Sequence, residues 1–267
     1  MGKILCISSF VARGHVGLQA TIPALQGLGH ETIALPTVML SNHPGHSEFS
    51  KHEIPAAALT AMIDAYERSG WLADIDAVLT GYLPTSAHVA AAADAISRVR
   101  RQNPEALIVC DPVMGDDPDG LYIPLEAAVA IREVLVPNAN VITPNRFELE
   151  RLSKRPVSTQ DEALAAARGL GAPAVLVTSL PLSDQALGNL LVETANDTLA
   201  AVPLLADVPH GTGDFLAALY LGHILNRHAP QHALHLAVAG VMAVASRSQG
   251  SQELVVVPDQ DVWIAPI

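Results

Sequence analysis

The sequence is poor in the residues that mark several common classes of protein. Only 4% of its 267 residues are aromatic, and its only lysines are Lys3, Lys51 and Lys154. The formal charge of −12 argues against nucleic acid as a partner, because such binding depends on Lys and Arg neutralising phosphates. The two cysteines, Cys6 and Cys110, lie in apolar runs. This pattern is typical of buried free thiols in a reducing compartment rather than of a disulfide.

The sequence also lacks a convincing segment for targeting or membrane insertion. The apolar run after Met1 is too short for a signal peptide and predicts a first strand instead. The longest late apolar stretch, residues 234–245, is interrupted by His235 and is too short to cross a bilayer. We therefore expect a cytoplasmic protein with no membrane partner.

What the sequence does contain is a regular alternation of short apolar strands and helical segments, with 50% hydrophobic residues overall. Continuous apolar strands between helices indicate a mostly parallel sheet covered on both faces. We predict an α/β fold of three layers, α/β/α, in a single domain over residues 1–267. The predicted strands are 3–9, 31–38, 75–79, 106–110, 140–142, 174–177, a hairpin of 187–193 and 198–204, and a possible last strand at 253–257.

Predicted helices occupy the intervals between these strands. Pro55 and Pro84 each precede a helical pattern, and Thr159 and Glu162 have the spacing of a capping box. The predicted helices end near residues 28, 69, 102 and 170, another begins near Pro124, and two apolar helices follow residue 210.

A glycine turn before the first of those two helices is the most informative stretch. Gly211-Thr212-Gly213-Asp214 leads directly into an apolar run. Glycines allow unusual backbone angles, and the first N–H groups of a helix have no intrahelical partner and favour anions. One interpretation is an anion site with Asp214 as a base beside it. The other is an ordinary glycine-rich loop with an aspartate that stabilises a helix end.

Polar side chains directly after several predicted strands favour the first interpretation. Ligands of open α/β sheets bind at the carboxyl ends of the strands. A Walker motif is absent, and the glycine turn lacks the third glycine of a dinucleotide fingerprint. Carboxylates suited to Mg²⁺ beside an anion-binding helix therefore predict phosphoryl transfer without a P-loop. The residues after strand ends are Ser9, Tyr82, Asp111, Asp116, Asn145, Glu148 and Thr178.

The order of short motifs resembles the pyridoxal kinases of the ribokinase-like superfamily. The resemblance runs from the first strand to the penultimate helix and implies a ribokinase-like fold. The Gly-x-Gly-Asp turn is typical of the superfamily, and the Ser-Asn-His and Thr-Gly-Tyr segments are typical of pyridoxal kinases. The matching segments are Ser9 with 14–17, 41–43, 80–82, 111–116, 143–148, 178–179 and 211–214.

This resemblance implies an ATP-dependent kinase that phosphorylates the 5′-hydroxymethyl group of pyridoxal, and of pyridoxine or pyridoxamine, in vitamin B6 salvage. Asp214 would take the proton of the substrate hydroxyl. The N–H groups of Gly211, Thr212 and Gly213 would stabilise the charge on the transferred phosphoryl group. Residues at about 39–54 would form a flap that closes over the site and excludes water.

The resemblance also implies binding residues for each ligand, and a homodimer. The residues implied for the cations are Asp116 and Glu148 for Mg²⁺, and Asp111, Thr143 and Thr178 for a monovalent cation such as K⁺ or Na⁺. The residues implied for ATP are Asn145, Thr178, Ser179 and Thr212. The residues implied for the vitamer are Ser9, His43, Tyr82 and Asp214.

Three departures from the family pattern fall at the substrate end. Phe10 replaces a histidine that commonly follows the serine, Pro44 replaces a threonine, and His210 replaces an apolar residue. Two alternatives therefore remain open: a kinase for another hydroxymethyl heterocycle, such as hydroxymethylpyrimidine, or a non-catalytic relative that binds a vitamer or nucleotide. A metal site at His43, His46 and His52 is disfavoured, because their spacing fits no common ligand pattern.

Overall fold

The computed structural model describes residues 1–258 and 260–264. Its strands are β1 (Lys3–Val11), β2 (Glu31–Leu40), β3 (Lys51–Glu53), β4 (Ala77–Thr80), β5 (Leu107–Cys110), β6 (Gly115–Asp116), β7 (Gly120–Leu121), β8 (Val141–Ile142), β9 (Ala174–Ser183), β10 (Ala186–Glu193) and β11 (Asp197–Pro203). Its α-helices are α1 (Leu18–Gly27), α2 (Ala56–Arg68), α3 (Ser86–Gln102), α4 (Leu125–Ala130), α5 (Arg146–Ser153), α6 (Gln160–Gly169), α7 (Thr212–Leu225), α8 (Pro230–Ser248) and α9 (Asp261–Ile264). Short 3₁₀ turns lie at Trp71–Asp74 and Val136–Asn138, and a π-helical turn at Ile131–Leu135 continues α4.

One large sheet organises the molecule, with the strand order β11-β10-β9-β8-β5-β4-β1-β2-β3. The strands from β9 to β2 in this order run parallel, while β3 and β10 are antiparallel to their inner neighbours. The direction of the connections reverses at β1, which pairs with β2 on one side and β4 on the other. Such a switch point is where open α/β sheets bind ligands.

The apolar strands are buried from both sides, as their sequence predicted. In β1, Ile4 and Cys6 face the core formed with α1, α7 and α8, while Leu5 and Ile7 face the core formed with α2 and α3. Side chains alternate across a strand, so a continuous apolar run needs a helical layer on each face. The predicted three-layer α/β/α sandwich is confirmed. No helix among residues 1–258 and 260–264 is long and apolar enough to cross a membrane.

Local signals predicted several elements well. The 187–193 and 198–204 segments form the antiparallel pair β10 and β11. The hydroxyl of Thr159 accepts from the N–H of Glu162, whose carboxylate accepts from the N–H of Thr159 in return. Helix α6 therefore begins at the predicted capping box.

The predicted strand at 253–257 is wrong. Leu254 and Val256 are buried, which explains the alternating apolar pattern, but this segment pairs with no strand. The hydroxyl of Ser248 on α8 accepts from the N–H of Val255 at 2.9 Å. A side-chain hydroxyl thus accepts the backbone hydrogen bond that a neighbouring strand would otherwise accept. Apolar alternation alone does not distinguish a strand from such an extended segment.

Candidate active site

The glycine turn forms the start of α7, with Gly211 as the N-cap and Thr212, Gly213 and Asp214 in the first turn of the helix. Gly211 has φ 110°, and a Cβ atom there would lie 2.0 Å from the carbonyl oxygen of His15. Within residues 1–258 and 260–264, no side chain accepts from the first N–H groups of α7. These groups carry the positive end of the helix dipole and are free to bind an anion.

Asp214 lies in the first turn of α7, and loop 12–17 holds its carboxylate. Its Oδ2 accepts a hydrogen bond from the N–H of Gly17 at 2.9 Å. Burial raises the pKa of Asp214 to about 6, and the bond from Gly17 opposes this rise. The carboxylate is therefore mostly ionised at neutral pH, and its pKa lies close enough to 7 for a general base.

A small cavity at the switch point connects Asp214 to the ends of the parallel strands. Ser8, Thr80, Gly81 and Asp111 contribute to its lining. Ser8 Oγ accepts from the N–H of Tyr82 at 3.0 Å, and a Cβ atom on Gly81 would lie 2.4 Å from that hydroxyl oxygen. Sequence reasoning missed Ser8 and Gly81, although both adjoin residues that it selected.

Besides Asp214, the residues predicted to bind the vitamer are Ser9, His43 and Tyr82, which come from three separate segments. Ser9 is 8% exposed, and its hydroxyl oxygen lies 2.3 Å from where a Cβ atom of Gly17 would be. Tyr82 is half-buried, and burial followed by the charge of Glu53 raises the pKa of its phenol. His43 lies in the loop between β2 and β3, inside the predicted flap. Its Nδ1 accepts from the N–H of Gly45 at 3.1 Å.

Glu148 forms the centre of a buried polar group at the start of α5. Its two carboxylate oxygens accept from the N–H groups of Met114 and Asn145, both at 2.9 Å. The side-chain oxygen of Asn145 accepts from the N–H of Glu148, which completes a capping box. Burial raises the pKa of Glu148 to about 7 against these hydrogen bonds. Glu148 therefore joins the 111–116 loop to α5.

Asp111 follows β5 and is 8% exposed. Burial is the main cause that raises the pKa of Asp111, and the negative charges of Glu148 and Asp214 raise it further. The Thr143 hydroxyl lies near enough to lower this pKa but makes no hydrogen bond of good geometry. The carboxylates of Asp111, Glu148 and Asp214 are therefore close enough for their negative charges to interact.

Several polar atoms in this region have no hydrogen-bond partner among the residues that the structure describes. The side-chain oxygens Asp116 Oδ1, Thr80 Oγ1 and Thr143 Oγ1 are buried without a hydrogen bond. Such atoms usually find partners, so hard oxygen donors left unpaired fit a bound cation. Across the described ranges, 1–258 and 260–264, no group of three or more His, Cys, Asp or Glu residues is placed to hold a metal alone. Mg²⁺ does not need such a group, since it binds through one or two carboxylates together with phosphates and water.

A cleft of about 700 Å³, including its open mouth, lies between β9–β11 and the helices α7 and α8. Thr178, Ser179, Thr212 and Gly213 line the end nearest the glycine turn. Asn145 does not line this cleft, because its amide caps α5 and donates to the Gly115 carbonyl oxygen at 2.8 Å. Sequence reasoning missed the apolar walls, which include Val202, Leu204, Leu216, Val238, Val241 and Met242.

The phosphomethylpyrimidine kinase family model matches residues 12–254 of the chain. A pyridoxal kinase from Rubrobacter xylanophilus is 39% identical over 99% of this chain and 94% of its own length. A pyridoxal kinase from Deinococcus radiodurans is 36% identical over 99% of this chain and 93% of its own length.

A solved structure of the Leishmania donovani pyridoxal kinase, in complex with ADP and pyridoxamine, has a similar fold. Its TM-score to this chain is 0.93 at 29% sequence identity. The match covers 100% of this chain and 97% of the other.

Proposed function

Because the chain belongs to the pyridoxal kinases of the phosphomethylpyrimidine kinase family, with a ribokinase-like fold, we propose that it transfers the γ-phosphoryl group of ATP to the 5′-hydroxymethyl group of pyridoxal. Pyridoxine and pyridoxamine are further substrates, and the reaction serves vitamin B6 salvage. The observation that carries this proposal is Asp214, with its raised pKa, in the first turn of an uncapped helix beside a glycine turn.

In the proposed reaction, Asp214 accepts the proton of the substrate hydroxyl as its oxygen forms a bond to the γ-phosphorus. The bond from that phosphorus to the bridging oxygen of ATP breaks, and ADP leaves. Negative charge spreads over the transferred group during this step. The N–H groups of Gly211, Thr212 and Gly213 stabilise it, because they are aimed outward from the start of α7.

The two cavities suggest how the substrates are arranged. The apolar cleft takes the base and ribose of ATP, with Thr178, Ser179 and Thr212 toward the phosphates. Asn145 supports the nucleotide site indirectly, because its side chain caps α5 and bonds to the Gly115 carbonyl oxygen. Ser9, His43 and Tyr82 bind the vitamer, and the 39–54 flap excludes water that would otherwise accept the phosphoryl group.

Two cations complete the proposed site. Asp116, with its unpaired Oδ1, and Glu148 organise Mg²⁺, which supplies charge neutralisation for the phosphates. Asp111, Thr143 and Thr178 hold a monovalent cation, K⁺ or Na⁺, and the unpaired Thr143 hydroxyl supports this assignment. A histidine metal site in the flap has no corresponding support.

We further propose one domain over residues 1–267, a cytoplasmic location and a homodimer. The reaction uses ATP, and Cys6 and Cys110 are free and buried, which suits a reducing compartment. Light scattering at several protein concentrations measures the oligomeric state, and a constant monomer mass would contradict the dimer.

ATP consumption with pyridoxal, pyridoxine, pyridoxamine and hydroxymethylpyrimidine tests the substrate assignment directly. We expect turnover with the pyridoxal compounds. Turnover with hydroxymethylpyrimidine alone would favour that kinase activity instead. Binding of a vitamer or nucleotide without any turnover would indicate a non-catalytic relative, against which the intact Asp214 and its neighbouring acids argue.

The metal assignment predicts different results for its two carboxylates. Asp116→Asn should raise the Mg²⁺ concentration for half-maximal activity about tenfold, with little effect on stability, because Oδ1 has no hydrogen bond to lose and asparagine keeps an oxygen that can accept from Tyr122. Glu148→Gln should also lower the free energy of unfolding by about 1–3 kcal/mol, because its amide group would face a buried N–H.

Urea unfolding and Mg²⁺ titration of turnover measure these two quantities, with the exposed Glu126→Gln as the matched control. If both site variants keep the wild-type Mg²⁺ requirement, Asp116 and Glu148 are structural residues only.

Because of Pro44, we expect this enzyme to have a high KM for pyridoxal. It lies exposed in the flap turn, where the N–H of His46 donates to the His43 carbonyl oxygen at 3.1 Å. Proline fixes φ near −65° and has no side-chain donor. We expect Pro44→Thr to lower the pyridoxal KM up to about tenfold, the value of one hydrogen bond, without lowering kcat. Pro44→Ala separates flap stiffness from the hydroxyl group, and unchanged kinetics in the threonine variant would remove residue 44 from the ring contacts.

A further inference from the structure

Two histidines from distant parts of the chain stack on each other above the glycine turn. The ring of His43, in the flap, lies against the ring of His210, with centroids 4.1 Å apart and an interplanar angle of 21°. His210 directly precedes Gly211 in the sequence. The stack therefore joins the flap to the turn that positions Asp214.

The flap turn is folded closely around this ring pair. A Cβ atom on Gly45 would lie 3.0 Å from His43 Nδ1 and 3.5 Å from His210 Nε2. His43 Nδ1 accepts from the N–H of Gly45, so the proton of the neutral ring is on Nε2. Burial, followed by the neighbouring His210 and His46, lowers the pKa of His43 to about 4, so His43 is neutral at pH 7. A neutral ring in a fixed tautomer can stack without charge repulsion.

Several other polar contacts of the flap hold its shape or its base. The N–H of Ser41 donates to the Ser50 carbonyl oxygen at 3.0 Å, and the Asn42 amide donates to the Glu48 carbonyl oxygen at 2.9 Å. At the base, the N–H of Arg13 donates to the Ser41 carbonyl oxygen at 3.0 Å. These bonds lie within the flap or between its base and loop 12–17, whereas the ring stack joins the flap to the residue before the glycine turn.

We propose that His210 is a positioning residue, which holds the flap closed over Asp214 by stacking on His43 and thereby sets substrate affinity and the exclusion of water. This proposal rests on the proposed kinase function for its kinetic consequences, but not for its effect on the flap itself. An aromatic pair contributes about 0.5–1.5 kcal/mol beyond its buried area, which corresponds to about 2- to 12-fold in affinity. Loss of the stack should therefore leave an open, active enzyme rather than an inactive one.

The test compares His210→Ala with His210→Phe, which keeps a flat ring. We expect His210→Ala to raise the pyridoxal KM about 2- to 12-fold and to increase ATP hydrolysis without vitamer, with the ATP KM within about twofold of wild type. His210→Phe should restore both quantities. His235→Ala, an exposed histidine on α8, is the matched control and should match wild type.

Hydrogen exchange of peptides from residues 41–50 gives a measurement that does not depend on turnover. His210→Ala should exchange faster there and keep the protection of α7, and His210→Phe should not. Faster exchange in a protein that phosphorylates no vitamer would support the stack while the kinase proposal fails. Unchanged exchange of 41–50 in His210→Ala would overturn the positioning role, whatever the kinetics.

Discussion

Replacement of Asp214 with asparagine should lower kcat by about 10²- to 10⁴-fold, the usual contribution of a general base. Asparagine keeps the size of the side chain, and its amide oxygen can still accept the hydrogen bond from Gly17. ATP affinity should therefore stay within a few-fold of wild type. Burial raises the pKa of Asp214, which means that the ionised carboxylate destabilises the folded protein at pH 7. Replacing it with a neutral amide should therefore not lower the melting temperature.

The same pKa predicts the acid limb of the pH profile. Asp214 accepts a proton only as the carboxylate, so kcat/KM of the wild-type enzyme should fall as the pH falls through about 6. Single-turnover kinetics and nucleotide titration measure the two effects in Asp214→Asn, with the exposed Asp184→Asn as a control. Near-normal turnover in Asp214→Asn would show that another group is the base.

Gly211→Ala should have the second-largest effect, a loss of about 10²- to 10³-fold in kcat. The new Cβ atom would lie 2.0 Å from the backbone oxygen of His15, and the residue has φ 110°, which alanine rarely adopts. Backbone must move to relieve this contact. The N–H groups that start α7 then lose their direction toward the transferred phosphoryl group.

Gly29→Ala separates this effect from backbone strain alone. Gly29 also has a positive φ, 84°, but a Cβ atom there meets nothing within 4 Å, and the residue lies outside the site. It should lower the melting temperature while turnover stays near wild type. Thermal melts of both variants identify any general loss of fold. A folded Gly211→Ala enzyme with wild-type kcat would contradict the proposed role of the turn.

Several candidate site residues could be predicted to lie together because they follow the ends of buried strands. Asp111 and Thr143 come directly after the adjacent strands β5 and β8, so a parallel sheet necessarily brings them together. Which of two adjacent serines lines the cavity was harder to predict. Ser8 and Ser9 are adjacent in β1, and only the structure shows that Ser8 lines the cavity beside Asp214.

The roles of Asn145 and Glu148 show a second limit. Both were selected as ligand-binding residues, and both lie beside the site, but their side chains form the capping box of α5. The sequence Asn-x-x-Glu has the spacing of such a box. A residue can both cap a helix and organise a ligand, and spacing does not distinguish these roles.

Composition, apolar periodicity and the order of short motifs determined the α/β class, the family and the glycine turn at the start of α7. These properties are local, because strand burial, helix caps and turns depend on residues close in the chain. Tertiary structure alone decided which distant groups meet: Gly17 on Asp214, the apolar walls of the cleft from β11 and α8, and His43 on His210. The physical reason is that an apolar pattern specifies which face of an element is buried, but the packing partner on that face depends on the arrangement of the whole sheet.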